Sequence, residues 1–302
     1  MKPTPSMPVV CPEPGIYEDV PGSEYHSWSA VSSSLLKHAF LSGQKARHYL
    51  HTPNEPTAAL CIGTCIDIAI TAPEHYHETV QFIKLSERSG PSTWANAVEK
   101  YGSQAIAPLE YEDRIERIVA NVLHNEAAVA LMDGDTRRQL IVVWDDAMYG
   151  LRCKAMIDLC RLDGEQIHAC DVKSSKADTE SKFAADCANY CYDMQAAHYL
   201  TGLRAAGEFD PLFKRDLPPR WSWLVVEKTA PYECIVFDDT DDESSDEPNM
   251  YRCGMGRRAK ALGTLAHSLA KGIWTSKSYG QSWPIAPPMW LRKQWGDDGN
   301  NG

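Results

Sequence analysis

Three observations predict an α/β (α+β) fold in which a central mixed β-sheet is flanked by helices. Apolar, β-branched segments gather in the middle of the chain, over 139–145, 150–160 and 166–173. Segments of helical periodicity lie on both sides, over 31–50, 57–71, 110–133 and 178–206. A second strand pair, 221–227 and 232–237, is followed by a closing helix over 251–274.

Each element has a local reason. Residues 1–24, rich in Pro, Glu and Gly, read as an extension ahead of a core spanning about 25–275. The run Ser32-Ser33-Ser34 supplies the start of the first helix. The second is almost wholly apolar, and the third places Ile115, Ile118, Val119, Val122 and Leu123 at helical spacing. Residues 80–105 show little periodicity and read as a loop. Asp178 suits the cap of the fourth helix, and Gly207 its end. Residues 276–302 form a tail rich in Trp and Pro. The 302 residues read as one domain, at the upper end for a single core.

The centre of the chain carries the chemistry. Segments LRCKAMIDLC and QIHACDVKS are joined through Asp163-Gly164, a strong hairpin signal. Any pairing with an even number of loop residues puts Asp158 and Asp171 on the same face, because strand side chains alternate with period two. Lys173 shares that face. Two carboxylates among Met, Ile, Leu, Ala, Cys and Val are costly to desolvate, and a divalent cation is the natural partner for them. Asp, followed by Asp-x-Lys after a turn, provides hard oxygen ligands and an ammonium to position an attacking water, which is what metal-dependent phosphodiester cleavage requires.

Composition narrows the class. No apolar run reaches 18 residues, and Met1 to Val20 has no apolar core of the kind a signal peptide needs, so a cytoplasmic location and no membrane are expected. Ten cysteines include no CxxC pair and read as free, buried small hydrophobes. Cys253 is the last of them, which sets aside an iron–sulfur cluster built on a C-terminal trio. Net charge is −11, but seven acids fall between Asp238 and Glu247, a run expected to be a solvated loop over 238–248. Basic candidates for a DNA path are Lys37, His38, Lys45, Arg47 and His48; Lys176 and Lys182; and Arg252, Arg257, Arg258 and Lys260.

Four motifs occur in order: Tyr25-His26 with Val31 to Leu36; Ala59 to Thr64 with Thr71 to Tyr76; CKAMIDLC with ACDVKSS; and Tyr192 to Tyr199. Together they resemble the PD-(D/E)xK nuclease superfamily and, within it, the RecE-like (exonuclease VIII-type) exonucleases of phages and prophages. The resemblance implies a restriction-endonuclease-like core and a 5′→3′ double-strand DNA exonuclease that leaves 3′ single strands for recombination. It implies Mg²⁺, with Mn²⁺ as a substitute, held by Asp67, Asp158, Asp171 and the backbone carbonyl of Val172. Lys173 would orient the water, and Gln195 and Tyr199, four residues apart on one helix face, would support the site. Asp67 stands where the family usually has a histidine; aspartate is a legitimate oxygen ligand for a hard cation. Ser32, Ser33 and Ser34 offer hydroxyls and free N–H groups for a terminal phosphate. The family further implies a ring-shaped homo-oligomer around DNA ends and a single-strand annealing protein as partner. The same catalytic core also serves endonucleases and repair nucleases, and loss of the histidine is compatible with an inactive DNA-end-binding scaffold.

Overall fold

The computed structural model describes residues 11–52, 57–84, 92–101, 105–163, 165–216, 219–239, 249–278, 286 and 288. The strands are β1 (Gly15–Tyr17), β2 (Gln81–Ile83), β3 (Ile106–Pro108), β4 (Thr136–Asp146), β5 (Leu151–Arg161), β6 (His168–Ser175), β7 (Arg220–Glu227) and β8 (Cys234–Asp239). The helices before the main sheet are α1 (Gly22–Ser27), α2 (Ser33–Leu41), α3 (Gly43–His51), α4 (Ala58–Thr71), α5 (Tyr76–Thr79), α6 (Ser92–Tyr101), α7 (Glu112–His124) and α8 (Glu126–Met132). After β6 come α9 (Glu180–Tyr190), α10 (Tyr192–Phe209) and, last, α11 (Met250–Lys271).

Six strands form one mixed sheet in the order β1-β4-β5-β6-β7-β8, and β2 pairs with β3 apart from it. Only β6 and β7 run parallel within the large sheet, with α9 and α10 forming the crossover between them. Alternation along the strands divides the apolar side chains between two layers. Ala169, Trp221, Trp223 and Val225 pack with α2, α10 and α11, whereas Cys170, Val172, Leu224 and Val226 pack with α4, α7 and α8.

Several expected elements divide. The helix over 31–50 is two, because the Ser42 backbone is extended and its hydroxyl accepts from Lys45 N–H to start α3. The helix over 110–133 breaks at Asn125, whose side chain caps α8 and also donates to Cys234 O. That over 178–206 breaks at Cys191, in the left-handed region (φ 59°). The stretch 80–105, expected to be a loop, contains β2 and α6, with Trp94 buried. Strand β1 adds an edge to the sheet within the expected N-terminal extension. The acidic run, expected to be a loop over 238–248, begins inside β8 with Asp238 and Asp239; its residues 240–247 and nearly all of the tail lie outside the described residues.

Candidate active site

The site forms where two ladders lapse together. Strands β5 and β6 pair through Leu159↔Cys170, Cys160↔Ala169 and Arg161↔His168, an even-loop register whose next step sets Asp158 opposite Asp171. Gly164 of the expected turn lies outside the described residues. Instead of continuing the ladder, the Asp158 carboxylate accepts the Val172 N–H at 2.7 Å. On the other side the β4–β5 pairing passes from Arg138↔Leu159 to Leu140↔Ile157, leaving Gln139 and Asp158 unpaired. Gln139 has a left-handed backbone (φ 50°), unusual for this residue type.

Asp171 and Lys173 lie on the α10 side of β6, held in place by the continuous parallel pairing with Trp223 and Val225 of β7. Asp171 is 2% exposed. Its Oδ1 accepts from Gln195 Nε2 at 2.6 Å, and its Oδ2 is in close ion contact with Lys173 Nζ. That ammonium also lies 4.8 Å from the ring centroid of Tyr192, the first residue of α10. Asp67 arrives from α4 in the opposite layer. A Cβ at Gly63, one turn earlier, would sit 3.4 Å from Ser174 Oγ, an ordinary contact that shows how near α4 passes to β6. Asp67 Oδ2 accepts from Gln139 Nε2 at 3.4 Å, and the same amide is 3.0 Å from Thr71 Oγ1. Asp67 Oδ1 is buried with no hydrogen-bond partner.

Three acids face one ammonium, and their protonation records it. Burial pushes the Asp67 carboxyl up to about 7, reinforced by the Asp171 charge and opposed by Lys173. Burial, then Asp67 and Asp171, raise Asp158 well above the carboxylate range. Burial raises Asp171 as well, although Lys173 and Gln195 pull against it. Burial alone would lower Lys173; Asp171 and Asp158 outweigh it and hold the ammonium charged.

A hard cation fits this donor set on two counts. Asp67 Oδ1 is an orphaned buried acceptor, and the cluster is acidic beyond what Lys173 can neutralise. Among the described residues no three Asp, Glu, His or Cys side chains already converge as a complete ligand set, and Lys173 takes the position of counter-charge to Asp171.

The remaining expectations divide into three groups. Tyr199 is buried, in edge contact with Trp221 at 5.7 Å, and its hydroxyl lies 3.5 Å from Ser33 Oγ. Ser32 is the cap of α2, accepting from Leu35 N–H at 3.3 Å, and Ser34 is exposed. Arg258 is not on any DNA path: it is 5% exposed and bonds Asp146 Oδ2 at 2.6 Å. Lys182 pairs with Asp178, and Arg257 with Asp193 and the Ala188 carbonyl. Gln139 escapes a reading of the sequence, since a polar residue within a strand carries no signal of its reach across to α4. Lys154 does too: it is 4% exposed and donates to Tyr25 O and Trp28 O, and no periodicity announces that contact.

Residues 32–262 match the PDDEXK-like domain of unknown function (DUF3799), and the chain belongs to that family. A solved structure, "Putative exonuclease" from Eubacterium rectale, superposes with a TM-score of 0.57 at 13% identity, covering 92% of this chain and 98% of its own. At that identity the likeness is one of fold. Another, SSO0001, reaches a TM-score of 0.28 at 11% identity over 77% of this chain and 85% of its own, too low to bear on fold. No curated protein matches the chain in sequence. Among the described residues no helix is long and apolar enough to cross a membrane.

Proposed function

We propose that the chain is a divalent-metal-dependent deoxyribonuclease, a RecE-like exonuclease that digests linear double-stranded DNA 5′→3′ and leaves a 3′ single strand for recombination. The observation that carries this reading is the over-acidic cluster of Asp67, Asp158 and Asp171 around Lys173, at the divergence of β5 and β6. Membership of a PDDEXK-like family supports it, as does the exonuclease in the name of the structural neighbour.

Asp67, Asp158 and Asp171, with the Val172 carbonyl, would hold Mg²⁺, for which Mn²⁺ can substitute. When bound, the ion supplies Lewis-acid polarisation of the scissile phosphate and neutralises its charge. Lys173, kept charged by the two acids beside it, donates hydrogen bonds and so orients the incoming water rather than taking its proton. Tyr192 and Gln195, from the first turn of α10, fix the Lys173–Asp171 pair. Asp158 anchors the splayed strand through Val172 N–H, which keeps both acids at the mouth of the divergence.

A ring of subunits around the duplex reconciles an acidic chain with DNA, because several copies of a weak basic track add avidity. A single-strand annealing protein would take up the 3′ strand. Linear and circular plasmid incubated with Mg²⁺ test the reading: digestion of the linear form alone, starting at labelled 5′ ends, is expected. Cutting of the circle would make the chain an endonuclease, and two intact substrates an end-binding scaffold.

A further inference from the structure

Beyond the carboxylates, ring and cation contacts follow one another outward from the active-site lysine. Tyr192 meets Lys173 at 4.8 Å, and the Tyr190 ring follows 5.6 Å from that of Tyr192, inclined by 32°. Lys37 Nζ then lies 5.5 Å from the Tyr190 centroid. Three residues along α2, Phe40 carries Arg257 at 5.5 Å and Lys260 at 5.2 Å. The backbone is bent to make this arrangement: the left-handed Cys191 (φ 59°) separates α9 from α10 and sets Tyr190 and Tyr192 on either side of the turn. Such a conformation is uncommon for a residue with a side chain and often marks a functional constraint.

Two further observations point outward. Tyr190 is 50% exposed, a large ring left in solvent beside the active site. In a chain of net charge −11, Lys37 and Lys260 stand over rings, and among the described residues neither has a carboxylate partner.

We infer that these contacts mark the path of one unpaired DNA strand, with a base stacked on Tyr190 and phosphates met by Lys37 and Lys260. That the strand is substrate or product rests on the nuclease reading above. Ring faces select a single strand, since bases in a duplex are already stacked, whereas cations alone would serve either form. Charge complementarity favours a polyanion over any other occupant.

The test is fluorescence anisotropy of a short labelled oligothymidine in EDTA, beside an abasic oligomer of equal length and a closed circular duplex. Tyr190→Leu should weaken oligothymidine binding about ten-fold or more and leave the abasic oligomer within about two-fold, because stacking needs a base. Tyr190→Trp should retain binding. Lys37→Gln should weaken both oligomers and lower the salt slope by about 0.7, the share of one phosphate. The inference is overturned if wild type does not bind oligothymidine, if Tyr190→Leu binds it as wild type does, or if that variant loses both oligomers equally. Tyr190-dependent binding without Mg²⁺-dependent cleavage by wild type would uphold the path while removing the nuclease reading.

Discussion

Two clusters of buried charge flank the same sheet, and they are built to opposite ends. Around Arg258 every charge is answered: its guanidinium meets Asp146 at 2.6 Å and His198 Nδ1 at 3.3 Å. The second imidazole nitrogen lies 3.2 Å from both Val31 O and Lys154 O. Around Lys173 three carboxyls compete for one ammonium, and Asp67 Oδ1 is left without a partner. Burial penalises both clusters; the unanswered one is relieved by protonation of its carboxyls or, on the proposed function, by a bound cation. A satisfied network maintains the fold, whereas an unbalanced one marks a site.

The largest expected effect comes from breaking the satisfied cluster. Arg258→Ala leaves Asp146 buried and unpaired, and should cost on the order of 3–5 kcal/mol in urea unfolding. Breaking the unbalanced cluster should have the reverse sign. Asp158→Asn keeps an oxygen to accept Val172 N–H and removes a repelling charge, so the variant should gain about 0.5–2 kcal/mol in EDTA at pH 8 while losing cleavage. A destabilised Asp158→Asn would mean that the site is a structural ion network.

Acid titration sharpens the contrast. His198 is held down to about 3 by burial and then by Arg258, below its usual 6.5. The unfolded chain therefore binds a proton first, so the stability that neutral His198 contributes is present above pH 6.5 and is lost as pH falls toward 3. The advantage of wild type over His198→Gln should shrink by about 1.4 kcal/mol per pH unit in that window. Asp67 has the opposite sign. Its carboxyl is held up at about 7, against 3.8 unfolded, so its cost appears as pH rises between those values. Urea titrations of His198→Gln and Asp67→Asn, each against wild type across this range in EDTA, would distinguish the two slopes.

The unequal legibility of the two clusters has a physical cause. Asp158, Asp171 and Lys173 stand close in sequence on one hairpin, so strand parity and the cost of acids among apolar residues were enough to bring them together. Gln195 came with the family resemblance, one helix turn from Tyr199. Arg258 and His198 are 60 residues apart on two helices, and each alone reads as a surface cation or a core histidine. Cys191 gives no turn signal, because cysteine has no preference for the left-handed region; the tertiary fold imposes the break. Ser42 caps one helix while ending another, and a single serine inside a periodic run cannot announce both. The fold class and the acid–lysine hairpin were thus available from local pattern, while Gln139, Lys154 and the Arg258 network needed contacts across layers.

The central claim is that the acids and lysine at the β5–β6 divergence form a metal-dependent reaction centre for DNA. It is tested most directly by incubating a linear duplex, labelled at one 5′ end, with Mg²⁺ and either wild type, Asp171→Ala or Lys173→Ala, each shown to be folded. The account predicts release of labelled nucleotide by wild type, none in EDTA, and a loss of about a thousand-fold or more in both variants. Undiminished Mg²⁺-dependent digestion by either variant would contradict it.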